Sequence, residues 1–291
     1  TGVRPVKLMR KLLEQIGEEK ACLYFKEEFN VSDDKVALCL ETLKEEEKIL
    51  KLSNEKSFSL YVSIPFCKTR CSYCSFVSQS IEKAHDLIPK YVDLLCKEII
   101  YTAKLANDIG LHLDTVYIGG GTPTTLSADQ MQKLLSTITS NFDMSTCKEF
   151  TVEAGRPDTI TKEMLKAIRD NNVTRISITP QTFNDEVLET IGRKHTSEQT
   201  IDAFNLSREY KFSNINMDVI AGLPSDTVES FKNTIDKIIK LNPESVTIHT
   251  LSIKKAAHLT KEGKKLCNKD TEKTSQMLDY AYDVLRNNGY I

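Results

Sequence analysis

The chain has 291 residues, 40% hydrophobic and 27% charged, the make-up of an ordinary globular protein with one large core and room for a small accessory piece. Thirty-nine Lys and Arg stand against 41 Asp and Glu, a net charge of -2, so no overall basic field recruits nucleic acid. No apolar run nears the roughly twenty residues that span a bilayer, and the start Thr1-Gly2-Val3-Arg4-Pro5 lacks the apolar core of a signal peptide, which points to the cytoplasm.

Residues 1–56 read as helical: 6–16, 20–29, and a third helix capped by Ser32 or Asp33 and running to about Lys48, with Val36, Leu40 and Leu43 at helical spacing. Glu45-Glu46-Glu47 belongs to a solvated face. The acidic balance favours a docking or connecting segment over a DNA-reading helix-turn-helix. From Phe58 strands and helices alternate. Strands are expected at 58–64, 113–118, 149–153, 175–178, 215–220 and 245–250. Helices are expected at 87–107, 128–140, 162–171, 185–191, 197–210, 227–241 and 273–287. Six strand and helix units in succession imply parallel strands, right-handed crossovers and outer helices. Six units fall short of an eight-fold barrel. The expected fold is therefore α/β, an open six-unit (β/α)6 partial TIM-like barrel over residues 57–291, with its site at the C-terminal strand ends. The chain begins without Met and stops at Asn288-Gly289-Tyr290-Ile291, just past a helix and at the start of an apparent strand, so a fragment of a longer protein is expected.

Straight after the first strand, Cys67, Cys71 and Cys74 fall at C-x3-C-x2-C spacing in one short loop. Three thiolates on one loop suit soft metals, zinc or an iron-sulfur cluster. A closed structural zinc site wants a fourth protein ligand, and no further Cys or His lies close by, His85 being the next. A cubane cluster usually takes four Cys, so three leave one iron free for a small molecule. That is the chemical logic of an S-adenosylmethionine (SAM) site on a 4Fe-4S cluster. The plainer alternative is three small apolar residues. For the isolated Cys22, Cys39, Cys96, Cys147 and Cys267 the plain reading is preferred, and eight thiols without a disulfide framework suit a reducing compartment.

Other unusual residues fall after successive strands. Gly119-Gly120-Gly121-Thr122-Pro123 follows the second strand; such a run opens backbone N–H and C=O groups to a close ligand, or merely makes a tight turn. Glu153 ends the third strand, Gln181 follows the fourth, and Arg193 lies between two helices. Asp218 stands in the otherwise apolar strand Met217-Asp218-Val219-Ile220, where a carboxylate is costly unless paired or bound to something. SAM carries an ammonium, a carboxylate, a sulfonium and a ribose diol, and this set offers acidic, guanidinium, amide and backbone groups to match. His249 faces either core or cleft, while His85, His112, His195 and His258 read as loop or surface residues, with His195 weighed as a substrate contact because it adjoins Arg193.

Taken together, Tyr61-x-x-Ile64-Pro65-Phe66-Cys67-x3-Cys71-x-Tyr73-Cys74-x-Phe76, Gly119-Gly-Gly-Thr-Pro-Thr124, Glu153, Arg175-Ile-Ser-Ile178 with Gln181 and Phe183, Gly192-Arg193-x-His195 and Asp218-x-Ile220-x-Gly222-Leu-Pro224 resemble the radical SAM family of oxygen-independent coproporphyrinogen III dehydrogenases over about residues 57–255. Thr1-Gly-Val-Arg-Pro-Val-Lys-Leu8 and Ile178-Thr-Pro-Gln-Thr182 are most similar to its HemZ-type subgroup. The resemblance implies that Cys67, Cys71 and Cys74 bind a 4Fe-4S cluster whose open iron chelates SAM. It implies SAM contacts from Tyr61, Gly120, Glu153, Gln181, Arg193 and Asp218, with Tyr73, Gly121, Thr122 and Thr250 beside them. A 5'-deoxyadenosyl radical would then take hydrogen from the porphyrinogen propionates and leave vinyl groups, with no catalytic side chain assigned and with an unidentified electron donor. Arg156 and Lys194 are candidate propionate clamps, or plain solvated charge.

Two departures bear on the substrate. Where the bacterial dehydrogenase carries a fourth Cys after the triad this chain has Ser75-Phe76, and where that enzyme has His two residues beyond the matching Tyr this chain has Ser63. Both changes also occur in family members that bind haem. The tetrapyrrole partner is therefore coproporphyrinogen III or haem. The family's C-terminal substrate-covering region is also expected to be missing.

Overall fold

The computed structural model describes residues 4–254, 257 and 271–290. Cys267, His258, Thr1 to Val3 and Ile291 lie outside the described residues, and Asn288 to Tyr290, where a strand is expected to begin, form no strand. The chain forms two compact units, Thr1–Ser57 and Phe58–Ile291.

The first unit is three helices, α1 (Pro5–Ile16), α2 (Glu18–Phe29) and α3 (Asp33–Leu50). Pro5 opens α1, where its missing N–H would be unpaired anyway. Gly17, at φ 82, ends that helix with its N–H on the Leu13 carbonyl, and Asn30 ends α2 in a left-handed conformation. Met9, Ala21, Phe25, Val36 and Cys39 make the core between them. Ser32 occupies the N-cap position of α3, yet its side chain makes no capping bond; Asp33 and Asp34 supply negative charge to the first turn instead.

The second unit carries the sheet. Its strands are β1 (Ser57–Ile64), β2 (His112–Gly120), β3 (Glu149–Ala154), β4 (Arg175–Gln181), β5 (Ile215–Ala221) and β6 (Ser245–Thr250), side by side in chain order. The pairs from β2 to β6 are parallel. The sheet does not close, and β1 and β6 remain its edges. Around it run α4 (Ile88–Asp108), α5 (Ala128–Asn141), α6 (Lys162–Asp170), α7 (Asp185–Thr190), α8 (Ser197–Glu209), α9 (Val228–Leu241) and α10 (Thr271–Asn287). The six-unit partial barrel expected from the alternation is the fold observed. Ile118, Val152, Ile178 and Met217 of the central strands are fully buried and pack with Leu134, Ile138, Phe231 and Ile235 of the helices, as a parallel sheet covered by helices requires. Several helices start on a side-chain cap. Ser127 with Gln130 and Thr196 with Gln199 form capping boxes, and Thr161 and Thr227 cap α6 and α9.

Two local features depart from the expected layout. First, β4 runs on through Thr179-Pro180 to Gln181, because the ladder to β5 slips between Ile178 and Gln181 and leaves Gln181 at φ 69. A bulge of this kind re-aims a side chain at a strand end. Second, Phe66–Cys67 pairs in parallel with Gln79–Ser80, and Gln79 N–H donates to Pro65 O at 2.8 Å. These two-residue strands pinch the cysteine loop at its base and are too short to leave a period in the sequence.

Candidate functional site

A cleft of about 630 Å3 opens at the carboxyl ends of the strands. Cys67, Cys71 and Cys74 line it, as do Tyr73, Gly120, Gly121, Thr122, Glu153, Gln181, Arg193, Asp218 and Thr250. Of the residues that the resemblance assigns to the cluster or to SAM, Tyr61 alone is not on the wall. It is 61% exposed on β1 and stacks on Tyr117, which does line the cleft, with ring centroids 5.9 Å apart.

The cysteine loop and the glycine run are packed against each other. Gly121 N–H donates to Ile64 O and Thr122 N–H to Phe66 O, each at 2.8 Å, and Thr122 Oγ1 lies 3.6 Å from Cys67 Sγ. A Cβ at Gly121 would sit 2.6 Å from Phe66 O and 2.9 Å from Cys67 Sγ. At Gly120, whose φ is 113, it would sit 2.7 Å from Ser63 Oγ. Close approach, as well as turn geometry, therefore explains these glycines. The three cysteines are free and half-buried. Burial pushes the Cys74 thiol up, and the neighbouring Cys71 and Cys67 push it further, so the three sulfurs share one electrostatic neighbourhood.

Two carboxylates face the cleft with different support. Glu153 Oε1 accepts from Tyr117 Oη at 2.6 Å. Burial raises its pKa, the Tyr117 bond works against that rise, and the charge of Asp218 adds to it. The Asp218 carboxylate stands on a polar platform: Asn216 Nδ2 donates to Oδ1 at 2.6 Å and Ser177 Oγ to Oδ2 at 3.3 Å. Asn216 is itself fixed, donating to Ser177 Oγ and accepting from Ser245 and Thr247. The half-buried position of Asp218 and these bonds answer the cost of placing a charge in that strand.

Arg193 is buried against the end of β4. Its Nη1 donates to Thr179 O and to Gly155 O, and its Nη2 to Thr179 Oγ1. Burial opposes its charge, but Tyr73 and Cys71 alongside keep its pKa above the ordinary value. Arg193 Nε and Gln181 Oε1 are buried without a protein partner among the described residues. His249 resolves to the cleft, on its exposed edge beside Thr250.

Two expectations are corrected. His195 is 2% exposed and lies in the interior, not on a loop surface. Burial, then Arg193 and Arg156, draw its pKa down to about 4. Arg156 is likewise 2% exposed, so it is not solvated charge: it donates to Asp158 and to Thr69 of the cysteine loop. Sequence reasoning also passed over Tyr117 and Asn216, each two residues before a residue it named, hence on the same face of its strand.

This donor set fits the cluster and nucleotide. Three thiolates meet a glycine cradle, and a buried amide oxygen and a guanidinium nitrogen wait unpaired on the same wall. No three His, Cys, Asp or Glu among the described residues converge as ligands of one ion; in a cubane each thiolate takes a different iron and no such point is needed.

The Radical SAM superfamily profile matches residues 61–238, more than half of the chain. The chain belongs to the radical SAM superfamily. That superfamily works with a 4Fe-4S cluster and SAM. The chain is 36% identical to the oxygen-independent coproporphyrinogen-III oxidase-like protein HemZ of Bacillus subtilis, over 100% of this chain and 59% of that protein. It is 34% identical to the heme chaperone HemW of Lactococcus lactis, over 81% and 60%. The solved radical SAM structure of coproporphyrinogen III oxidase (HemN) from Escherichia coli superposes with a TM-score of 0.72 at 28% identity, over 84% of this chain and 56% of that one. The chain thus spans about three-fifths of the length of these relatives. No helix among the described residues is long and apolar enough to cross a membrane.

Proposed function

We propose that the protein is a radical SAM oxidoreductase that converts propionate side chains of coproporphyrinogen III to vinyl groups in haem biosynthesis, in the reducing environment of the cytoplasm. The observation that carries this reading is the convergence of the three thiolates, the glycine run and four polar side chains, Glu153, Gln181, Arg193 and Asp218, on one cleft.

In this reading Cys67, Cys71 and Cys74 hold three irons of the cluster. When bound, the cluster and SAM supply one-electron chemistry able to remove a hydrogen atom from an unactivated carbon. The side chains bind and orient. Gly120, Gly121 and Thr122 let the nucleotide approach the backbone, and Asp218 and Glu153 receive its donor groups. Arg193 faces a carboxylate and Gln181 offers its unpaired carbonyl oxygen. Tyr61, Tyr73 and Thr250 border the same groups. Arg70, Arg175 and Lys254 add positive charge to the cleft wall, which suits a substrate bearing several carboxylates. For each propionate the balance is one hydrogen atom from the β carbon, one electron to an acceptor and one carbon dioxide, leaving the vinyl group.

Haem binding or transfer on the same scaffold is the second reading. Phe76, where the fourth-Cys region of the dehydrogenase would fall, lines the cleft and is 69% exposed, an apolar plate suited to a flat macrocycle. Anaerobic reconstitution of the full-length protein, followed by product analysis with coproporphyrinogen III, decides between them. Formation of protoporphyrinogen supports the first reading. SAM cleavage that never yields it overturns that reading, and stoichiometric haem binding without decarboxylation selects the second.

A further inference from the structure

Arg156 presents an unusual case, a guanidinium almost fully buried beside the cysteine loop at the wall of the cleft. A buried charge persists only where its donors are engaged. Its Nη1 donates to Thr69 Oγ1 at 2.6 Å and to Thr69 O at 3.2 Å, and its Nε donates to Asp158 Oδ1 at 3.1 Å. Asp158 completes a bracket, because its other oxygen lies 3.1 Å from Lys68 Nζ. Lys68 and Thr69 are two of the three residues between Cys67 and Cys71.

The bracket stands on firm ground. Pro157 opens a 3-10 turn directly after Arg156, and Thr159 Oγ1 in that turn donates back to Arg156 O at 2.8 Å. Thr124 Oγ1, in the turn after the glycine run, lies 2.6 Å from Thr159 Oγ1. On its other side the cysteine loop is held by the segment that carries Arg193: Thr69 Oγ1 donates to Gly192 O at 3.2 Å and Ser72 N–H to Ile191 O at 3.0 Å. Thr69 is therefore gripped from two separate loops at once.

We propose that Arg156 is a positioning residue for the metal cluster: braced by Asp158, it fixes the Lys68-Thr69 stretch and thereby sets the spacing of the thiolates on either side. The inference rests on Cys67, Cys71 and Cys74 being the ligands. It assigns Nη1 and Nε of Arg156 to the protein's own loop, while Nη2 is buried on the cleft wall without a protein partner among the described residues. Arg is needed here because its planar fork reaches Thr69 and Asp158 together, which an ammonium on a flexible stem does not reproduce.

The test uses the full-length protein reconstituted without oxygen, as wild type, Arg156→Lys, Thr69→Val, the double variant and Cys71→Ala. Iron and sulfide content, release of iron to a ferrous chelator, the midpoint potential and the electron paramagnetic resonance signal with and without SAM are measured, with circular dichroism as the control for folding. Each single variant is expected to load a cluster, to release iron about tenfold faster, the scale of one charge-assisted hydrogen bond, and to show a shifted potential and an altered response to SAM. The double variant should fall short of the sum of the two single effects, since both lose the Arg156–Thr69 contact while Thr69→Val also loses the bond to Gly192 and Arg156→Lys the bond to Asp158. Wild-type release with an unchanged signal in Thr69→Val overturns the proposal even if Arg156→Lys fails to fold, and so does additivity of the two changes. A full cluster in Cys71→Ala instead overturns the ligand assignment, which separates failure of the premise from failure of the bracket.

Discussion

Asp218 and Glu153 are both carboxylates on the cleft, but only Asp218 stands on an amide and a hydroxyl, Asn216 and Ser177, that keep it ready to accept. Asp218→Ala is expected to weaken SAM binding ten- to a hundredfold, the scale of a hydrogen bond to a charged group, while iron content stays at the wild-type level. Titrating the cluster signal with SAM measures the first and metal analysis the second; lost iron would make Asp218 structural. Gly121→Ala pushes a Cβ against the Phe66 backbone and Cys67 Sγ, neither of which yields cheaply, so a loss of about 1–3 kcal/mol in denaturant unfolding is expected. His195 gives a pH dependence whose sign follows from its depressed pKa. The unfolded imidazole takes up a proton near 6.5 and the folded one only near 4, so stability is full above 6.5 and is lost as pH falls toward 4, by about 3 kcal/mol in all. The profile of His195→Gln should be flatter across that window. The cysteines, the glycine run and Asp218 were legible in the sequence because each breaks its local pattern. Arg156 and His195 were not, because their burial comes from contacts across loops, as when Arg156 meets Thr69 87 residues away.

At the scale of the element, the alternation of apolar strands with amphipathic helices announced all six units, since crossover connections impose both periods on the chain. Strand ends were harder to place. β2 and β4 continue into glycine and proline sequences that ordinarily mark turns, because the sheet supplies ladder partners there that composition does not reveal. Helix starts were marked by capping residues, at Ser127 and Thr196 with real side-chain caps and at Ser32 by position alone, since its side chain makes no cap bond. Thr196→Ala removes the cap of α8 and half of its box with Gln199. A loss of about 1 kcal/mol in unfolding is expected, with cluster loading unaltered; no change in the denaturation midpoint would show that packing alone holds that helix end.

For the whole molecule, the open sheet leaves its polar groups concentrated at one end, where six strands deliver a ligand set that no single element could hold. The fold was readable as a count of units, and the site as the place where those units end; the grip on the cysteine loop was not, because it joins turns from distant stretches of chain. That grip has a consequence for biogenesis. The loop is made early, but the residues that secure Thr69 lie 87 and 123 positions later. At ordinary rates of translation the nascent polypeptide displays three unprotected thiols for about 5–25 s before its anchors leave the ribosome. The loop thus reaches its anchored form only once the fourth repeat is complete, and the interval before that is when these sulfurs are most open to oxidation.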